Sequence, residues 1–264
     1  MAKWQYTKGL HEVGNGLYAY LLPDGGWGWS NAGLIVDGEE VVLVDTLFDL
    51  PLTRDMLATM CDAEPAAKDI GRVVNTHANA DHVWGNQLVK GAEIIASSGA
   101  AEEFDHFPPS RLEEMMANAK DLGVLGEFLE HCFAPFDFSG IELTPPTTTF
   151  DDRMSLTCGD RQIELYNVGP VTDKAHVKVF KGYLDYIEAE ARKCFDAGLS
   201  EWDAACEISL ADYDTWGDAE RFIGNVYALY REFRDDSSEP EVMPVFEEMA
   251  RFHKEVILPR LAAR

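Results

Sequence analysis

The segment His77-Ala78-Asn79-Ala80-Asp81-His82 holds two imidazoles and a carboxylate within six residues, directly after the apolar run that ends at Val74. Neutral imidazole and ionised carboxylate are the ligands that a borderline divalent ion such as Zn²⁺ takes. A strand ending in this cluster can deliver them to one point at a sheet edge. A zinc ion held there would lower the pKa of water from about 15.7 to about 7, supplying hydroxide for attack on an ester, amide, thioester or activated carbon. His77, Asp81 and His82 are therefore the expected ligands, and Asp81 is also the expected catalytic group that orients the water. A tetrahedral site needs three or four protein ligands, so these three with one recruited group make the smallest workable set. The competing reading is that Asp81 caps the following helix while the histidines satisfy backbone groups.

The other histidines are His11, His106, His131, His176 and His253. His176 is the candidate extra ligand, although it falls on an expected helix where a surface or core role is the commoner one. His106 and His131 could approach the mouth of the site. His131 and Cys132 adjoin in sequence, and neighbours on a helix do not face one another, so no thiol enzyme is indicated. The loop Asp24-Gly25-Gly26-Trp27-Gly28-Trp29-Ser30-Asn31 carries two indoles. Trp27 and Trp29 could close over a pocket or pack onto the sheet.

The elements that position these residues read as α/β. Short strands are expected over 16–22, 32–37 and 41–45, the last two joined through Asp37-Gly38 as a tight hairpin. A helix over 52–61, a strand over 72–75, a helix over 81–89 and a strand over 93–96 follow. The stretch 110–133 reads as helix, 135–149 as a Pro- and Thr-rich connection, and 154–156 with 162–167 as hairpin-like strands. From Thr172 onward only helices are expected, over 173–197, 201–208, 216–233 and 242–261, with Ser200 as an N-cap and Asp203 three residues later. Phe222, Val226, Leu229 and Tyr230 recur at helical spacing, as core or dimer contacts would. The expected division is an α/β domain over 1–170 and a helical region over 171–264, whose helices offer a surface for a homo-oligomer.

Composition narrows the function further. With 47 acidic against 22 basic residues the formal charge is -25, so the average surface repels DNA and RNA. The five cysteines are odd in number, widely spaced and without a CxxC pair, which suits reduced thiols in a cytoplasmic protein. No apolar run approaches the length that spans a bilayer, and the N-terminus has no apolar signal segment. A small-molecule substrate is the expected partner.

The order Asp45 after an apolar strand, then a helix, a strand and His77-x-Asn79-x-Asp81-His82, resembles the metallo-β-lactamase superfamily over most of residues 10–170. That resemblance implies an αββα sandwich with zinc at the sheet edges, and hydrolysis by metal-activated hydroxide. It matches His77, Asp81 and His82 to ligands and Asp45 to the acidic residue that supports them. The family pattern is HxHxDH, and Asn79 stands where its second His is expected. A neutral amide is the weaker zinc ligand, so one metal is expected over two, with Asn79 behind the ligands or against substrate. A subgroup with HxNxDH followed by an equivalent of Gly85-Asn86-Gln87 fits this chain. The family continues after a strand like 163–168 with Gly-Pro-x-His-Thr, a bridging Asp and Gly-His-Gly-Pro. Here Gly169-Pro170 serves both ends, as if the intervening segment and part of the second sheet were absent. The resemblance thus implies either a zinc hydrolase or a catalytically impaired relative acting as a binding or assembly protein.

Overall fold

The computed structural model describes residues 7–23, 26–167, 174–210, 213, 218–238 and 242–262. The junction at Gly169-Pro170 and the side chain of His176 lie outside the described residues. Two compact units make up the chain, one of Met1–Ala117 with Cys132–Gly169 and one of Asn118–His131 with Pro170–Arg264.

In the first unit, β1 (Gly9–Gly14), β2 (Leu17–Leu21), β3 (Ala32–Asp37) and β4 (Glu40–Val44) form an antiparallel meander. Asn15 and Gly16 have φ of 54° and 71°, the left-handed pair that a two-residue hairpin matched to strand twist requires. A Cβ on Gly16 would lie 2.4 Å from the Val36 carbonyl oxygen. Beyond β4 the pairing turns parallel through β5 (Arg72–Val74), β6 (Glu93–Ser97) and β7 (Thr148–Phe150), giving seven strands in chain order. Parallel pairing needs crossovers. These are α1 (Leu50–Ala63) before β5, α2 (Ala80–Val83) before β6, and α3 (Ser98–Glu103), α4 (Pro109–Ala117) and α5 (Val124–Phe133) before β7.

Side chains alternate between the faces of a strand, and the core follows that period. Leu43, Val73 and Ile94 stand in register and pack with Met56 and Met60 of α1. Val42, Val74 and Ile95 turn the other way, onto Met154, Leu156 and Cys158 of β8 (Arg153–Cys158) and Ile163 and Leu165 of β9 (Arg161–Tyr166). The result is a layered α/β sandwich. Its second sheet, among the described residues, has two strands.

The second unit is helical: most of α5, within Asn118–His131, then α6 (Lys174–Asp196), α7 (Glu201–Glu207), α8 (Arg221–Phe233), α9 (Val242–Phe252), a π turn at His253–Ile257 and α10 (Leu258–Ala262). Ile187, Ala191, Ile223, Val226, Tyr230 and Phe252 are its buried core. The hydroxyl of Ser200 accepts the Asp203 N–H at 3.1 Å, the cap read from the sequence.

Strand β1 and helix α3 were not expected, and three other departures have a visible physical reason. The helix expected over 81–89 stops at Val83 and resumes as a 3₁₀ turn at Asn86–Leu88. Gly85 donates its N–H to the Leu47 carbonyl at 3.1 Å, and a Cβ there would lie 2.1 Å from Thr53 Oγ1 on α1. Close seating of that turn on α1 replaces helical continuation. The 110–133 helix is interrupted between α4 and α5, where Gly123 takes φ of 57°. β7 lies inside the Thr-rich connection and exists through its ladder to β6, a long-range pairing with no local periodicity to announce it.

Candidate metal centre

The cluster forms at the C-terminal ends of β4 and β5, the edge where open α/β sheets place their ligands. Asp45 follows β4 and continues the ladder by donating its N–H to the Val74 carbonyl at 2.9 Å, with φ of 61°. A left-handed non-glycine residue is sparsely populated and needs support from its surroundings. The buried Asp45 carboxylate has it. Oδ1 accepts the Thr76 N–H at 2.7 Å, and Oδ2 accepts the Thr76 hydroxyl at 2.7 Å and His82 Nδ1 at 2.9 Å.

These bonds fix the imidazole tautomers. Ionised Asp45 can only accept, so the single proton of the Thr76 hydroxyl is spent on it. Thr76 Oγ1 also lies 2.8 Å from His77 Nδ1 and must accept there, which makes Nδ1 the protonated nitrogen of His77. His82 likewise gives its Nδ1 proton to Asp45. Both rings therefore present Nε2 lone pairs, and their centroids are 4.1 Å apart. Orientation of imidazole ligands through the opposite nitrogen is the usual support of a metal site.

Asp81, at the start of α2, places Oδ2 3.5 Å from His82 Nε2. Asp45, His77 and His82 could offer ligand atoms that all lie within 4.8 Å of one another, the one such group among the described residues. Of that trio we assign ligation to the histidines and not to Asp45, whose oxygens already accept three hydrogen bonds. Asp81 stands outside that trio and beside His82 alone. The donor chemistry of two Nε2 atoms with a carboxylate next to one of them fits a divalent ion of the zinc type.

Burial opposes the charged form of His82, but the hydrogen bond and charge of Asp45, with the charge of Asp81, outweigh it and raise its pKa above the ordinary value. Burial and the neighbouring His82 lower the pKa of His77.

A buried polar network behind the ligands carries no signal of its own in the sequence. The His82 carbonyl accepts the Thr46 N–H at 2.9 Å and an Asn75 amide N–H at 3.2 Å. Asn86 Nδ2 donates to Asn75 Oδ1 at 2.8 Å, and Thr46 Oγ1 lies 3.1 Å from Asn86 Oδ1. Thr46, Asn75 and Asn86 are each no more than 3% exposed. Asn86 lay in view, in Gly85-Asn86-Gln87, yet only tertiary contact gives it this part. The position of Thr76 between Asn75 and His77 shows nothing, in the sequence, of its hydroxyl's two partners.

The remaining candidates are placed as follows. Asn79 is the N-cap residue of α2, exposed, and its side chain makes no capping bond. Trp27 and Trp29 are half-buried, with ring centroids 6.4 Å from Phe133 and 4.9 Å from Phe136. His106 is exposed beyond α3, and His131 lies in the second unit with its ring 4.9 Å from that of His253. His176 belongs to α6 by its backbone alone.

Comparison with known proteins gives a match to the family model for the metallo-beta-lactamase superfamily over residues 25–163, more than half of the chain. Among solved structures, a metallo-beta-lactamase from Hirschia baltica is 18% identical with a TM-score of 0.36, over 56% of this chain and 55% of that one. One from Pontibacter korlensis is 16% identical with a TM-score of 0.40, over 60% and 59%. The mono-zinc form of FIM-1 from Pseudomonas aeruginosa is 20% identical with a TM-score of 0.30, over 37% and 45%. The chain thus spans less than two thirds of the length of each. No curated protein matches it.

Proposed function

The chain belongs to the metallo-beta-lactamase superfamily, and we propose that it is a zinc-dependent hydrolase of a small molecule. The observation that carries this reading is the hydrogen-bonded series from Asp45 through Thr76 to His77, and from Asp45 to His82, which engages the Nδ1 atom of each ring and leaves Nε2 as the ligand atom, with Asp81 beside that of His82. Under this reading His77, Asp81 and His82 hold one zinc ion. A bound ion would supply Lewis acidity toward the oxygen of the substrate's electrophilic group and toward water. Asp81 then orients water through its carboxylate and accepts a proton there, while Asp45 keeps the His82 proton on Nδ1 throughout. The indoles of Trp27 and Trp29 favour an apolar or aromatic substrate. Five free thiols suit a cytoplasmic setting, and no helix among the described residues is long and apolar enough to cross a membrane.

Asn79 in place of the family's His, with a two-stranded second sheet among the described residues, favours a second reading: a catalytically impaired relative that binds or assembles. Metal analysis separates the two. A hydrolase should purify with close to one zinc per chain, and His82→Ala should remove it, because that change deletes an imidazole from a set with no spare donor. Unchanged zinc in His82→Ala would sink the ligand assignment. Substoichiometric metal and full retention of fold in chelator would favour the impaired relative.

A further inference from the structure

α2 is four residues long, and its carbonyls lose their helical partners almost at once. In a continuing helix the Asp81 carbonyl would accept the N–H of residue 85. Gly85 instead gives that proton to the Leu47 carbonyl at 3.1 Å. The Asp81 carbonyl is taken by the hydroxyl of Ser30, a residue only 4% exposed. The peptide joining Asp81 to His82 is therefore held at both ends, its C=O by Ser30 and its N–H by the Asn79 carbonyl at 2.9 Å. The plane of that peptide sets the angle between two adjacent side chains.

Ser30 sits directly after Trp29, in a segment anchored independently of the cluster. Asn31 Oδ1 accepts the Leu22 N–H at 2.9 Å and closes the base of the loop. Gly28, at φ of 76°, lies so close to the Phe48 ring that a Cβ would come within 2.4 Å of it. Trp29 packs on Phe136. Trp29 and the residue that bonds the Asp81 carbonyl are thus adjacent in one anchored segment.

We propose that Ser30 is a positioning residue that couples the seat of the Trp27–Trp29 segment to the orientation of Asp81 beside His82. The role rests on the metal reading above and adds to it a route by which an apolar group bound at Trp29 alters the ligand set. Partners behind metal ligands commonly change affinity by about 10- to 100-fold.

The test is titration of the full chain with cobalt(II) alone, following the ligand-field absorption spectrum and the dissociation constant in wild type, S30A, S30C and S30T, with circular dichroism to verify folding. The expected result is affinity weakened about tenfold in S30A with a shifted spectrum, S30C intermediate because a thiol is a weak donor, and S30T restored toward wild type. Wild-type affinity and spectrum in a folded S30A would overturn the role of Ser30 and leave the metal site standing. Absence of cobalt binding in wild type would overturn the metal reading and this role with it. Should S30A fail to fold, S30C decides, since a wild-type spectrum there with loss of the oxygen donor also overturns the proposal.

Discussion

Thr76 shows how one hydroxyl decides the chemistry of a site. It donates to Asp45 and accepts from His77, so its removal frees the His77 ring to take either tautomer and strips one hydrogen bond from a buried carboxylate. Thr76→Val should weaken zinc binding about 10- to 100-fold, whereas Thr76→Ser, which keeps the hydroxyl, should stay near wild type. Equal affinities in the two variants, measured by competition with a chelating dye, would remove Thr76 from the site's support. Asn79 poses the opposite case, since it is exposed and its side chain makes no capping bond. Asn79→His should change stability by no more than about 0.5 kcal/mol. We expect it to leave zinc stoichiometry unchanged, because a second ion needs donors beyond one added imidazole. A second equivalent of zinc bound by this variant in a calorimetric titration would show that Asn79 is a lost ligand.

At the scale of elements, the turn after β4 ties α1 to the rest of the unit through Asp49. Its carboxylate caps α1 by accepting the Leu52 N–H at 2.8 Å and also accepts the Asp137 N–H at 3.0 Å, in a site only 2% exposed. Burial raises the Asp49 pKa above its usual 3.8, despite the opposing effect of those two N–H groups. The folded chain thus holds this proton more tightly than the unfolded chain does. The resulting stability is fully present below the unfolded value and is lost as pH rises through the raised folded value. Substitution D49N abolishes the titration, so the advantage of wild type over D49N in urea unfolding should be greater in acid than at neutrality. A difference independent of pH would mean that Asp49 is not the group responsible. The strand and helix pattern was readable here from alternation and spacing. The early stop of α2 was not, because it follows from Gly85 meeting Thr53 across the fold.

For the molecule as a whole, metal and folding are linked when the ion binds only the assembled cluster. Zinc at about a hundredfold excess over its dissociation constant should stabilise the native chain by about 2.7 kcal/mol, and should raise the thermal midpoint accordingly. Asp45→Asn should reduce that gain and Asp81→Asn should abolish it, because the first disturbs orientation and the second removes a donor. If Asp45→Asn abolished the zinc-dependent shift while Asp81→Asn retained it, the two roles would have to be exchanged. The formal charge of -25 adds a general repulsion in the compact state, so these comparisons belong at one ionic strength.

The sequence by itself determined the superfamily and the α/β layering, because the spacing of His77, Asp81 and His82 and the period of the apolar residues are local properties of the chain. It also determined the cap at Ser200, which depends on residues three apart. Tertiary structure alone decided which side chains besides Asp45 stand behind the ligands. Asp45 was legible through the family resemblance, but Thr46, Asn75 and Thr76 meet His82 and Asp45 only when parallel β4 and β5 come side by side, and Ser30 reaches Asp81 across 51 residues of chain. A hydrogen bond has no sequence spacing when its partners come from different strands, so its donors look like any other polar residue until the fold brings them within reach.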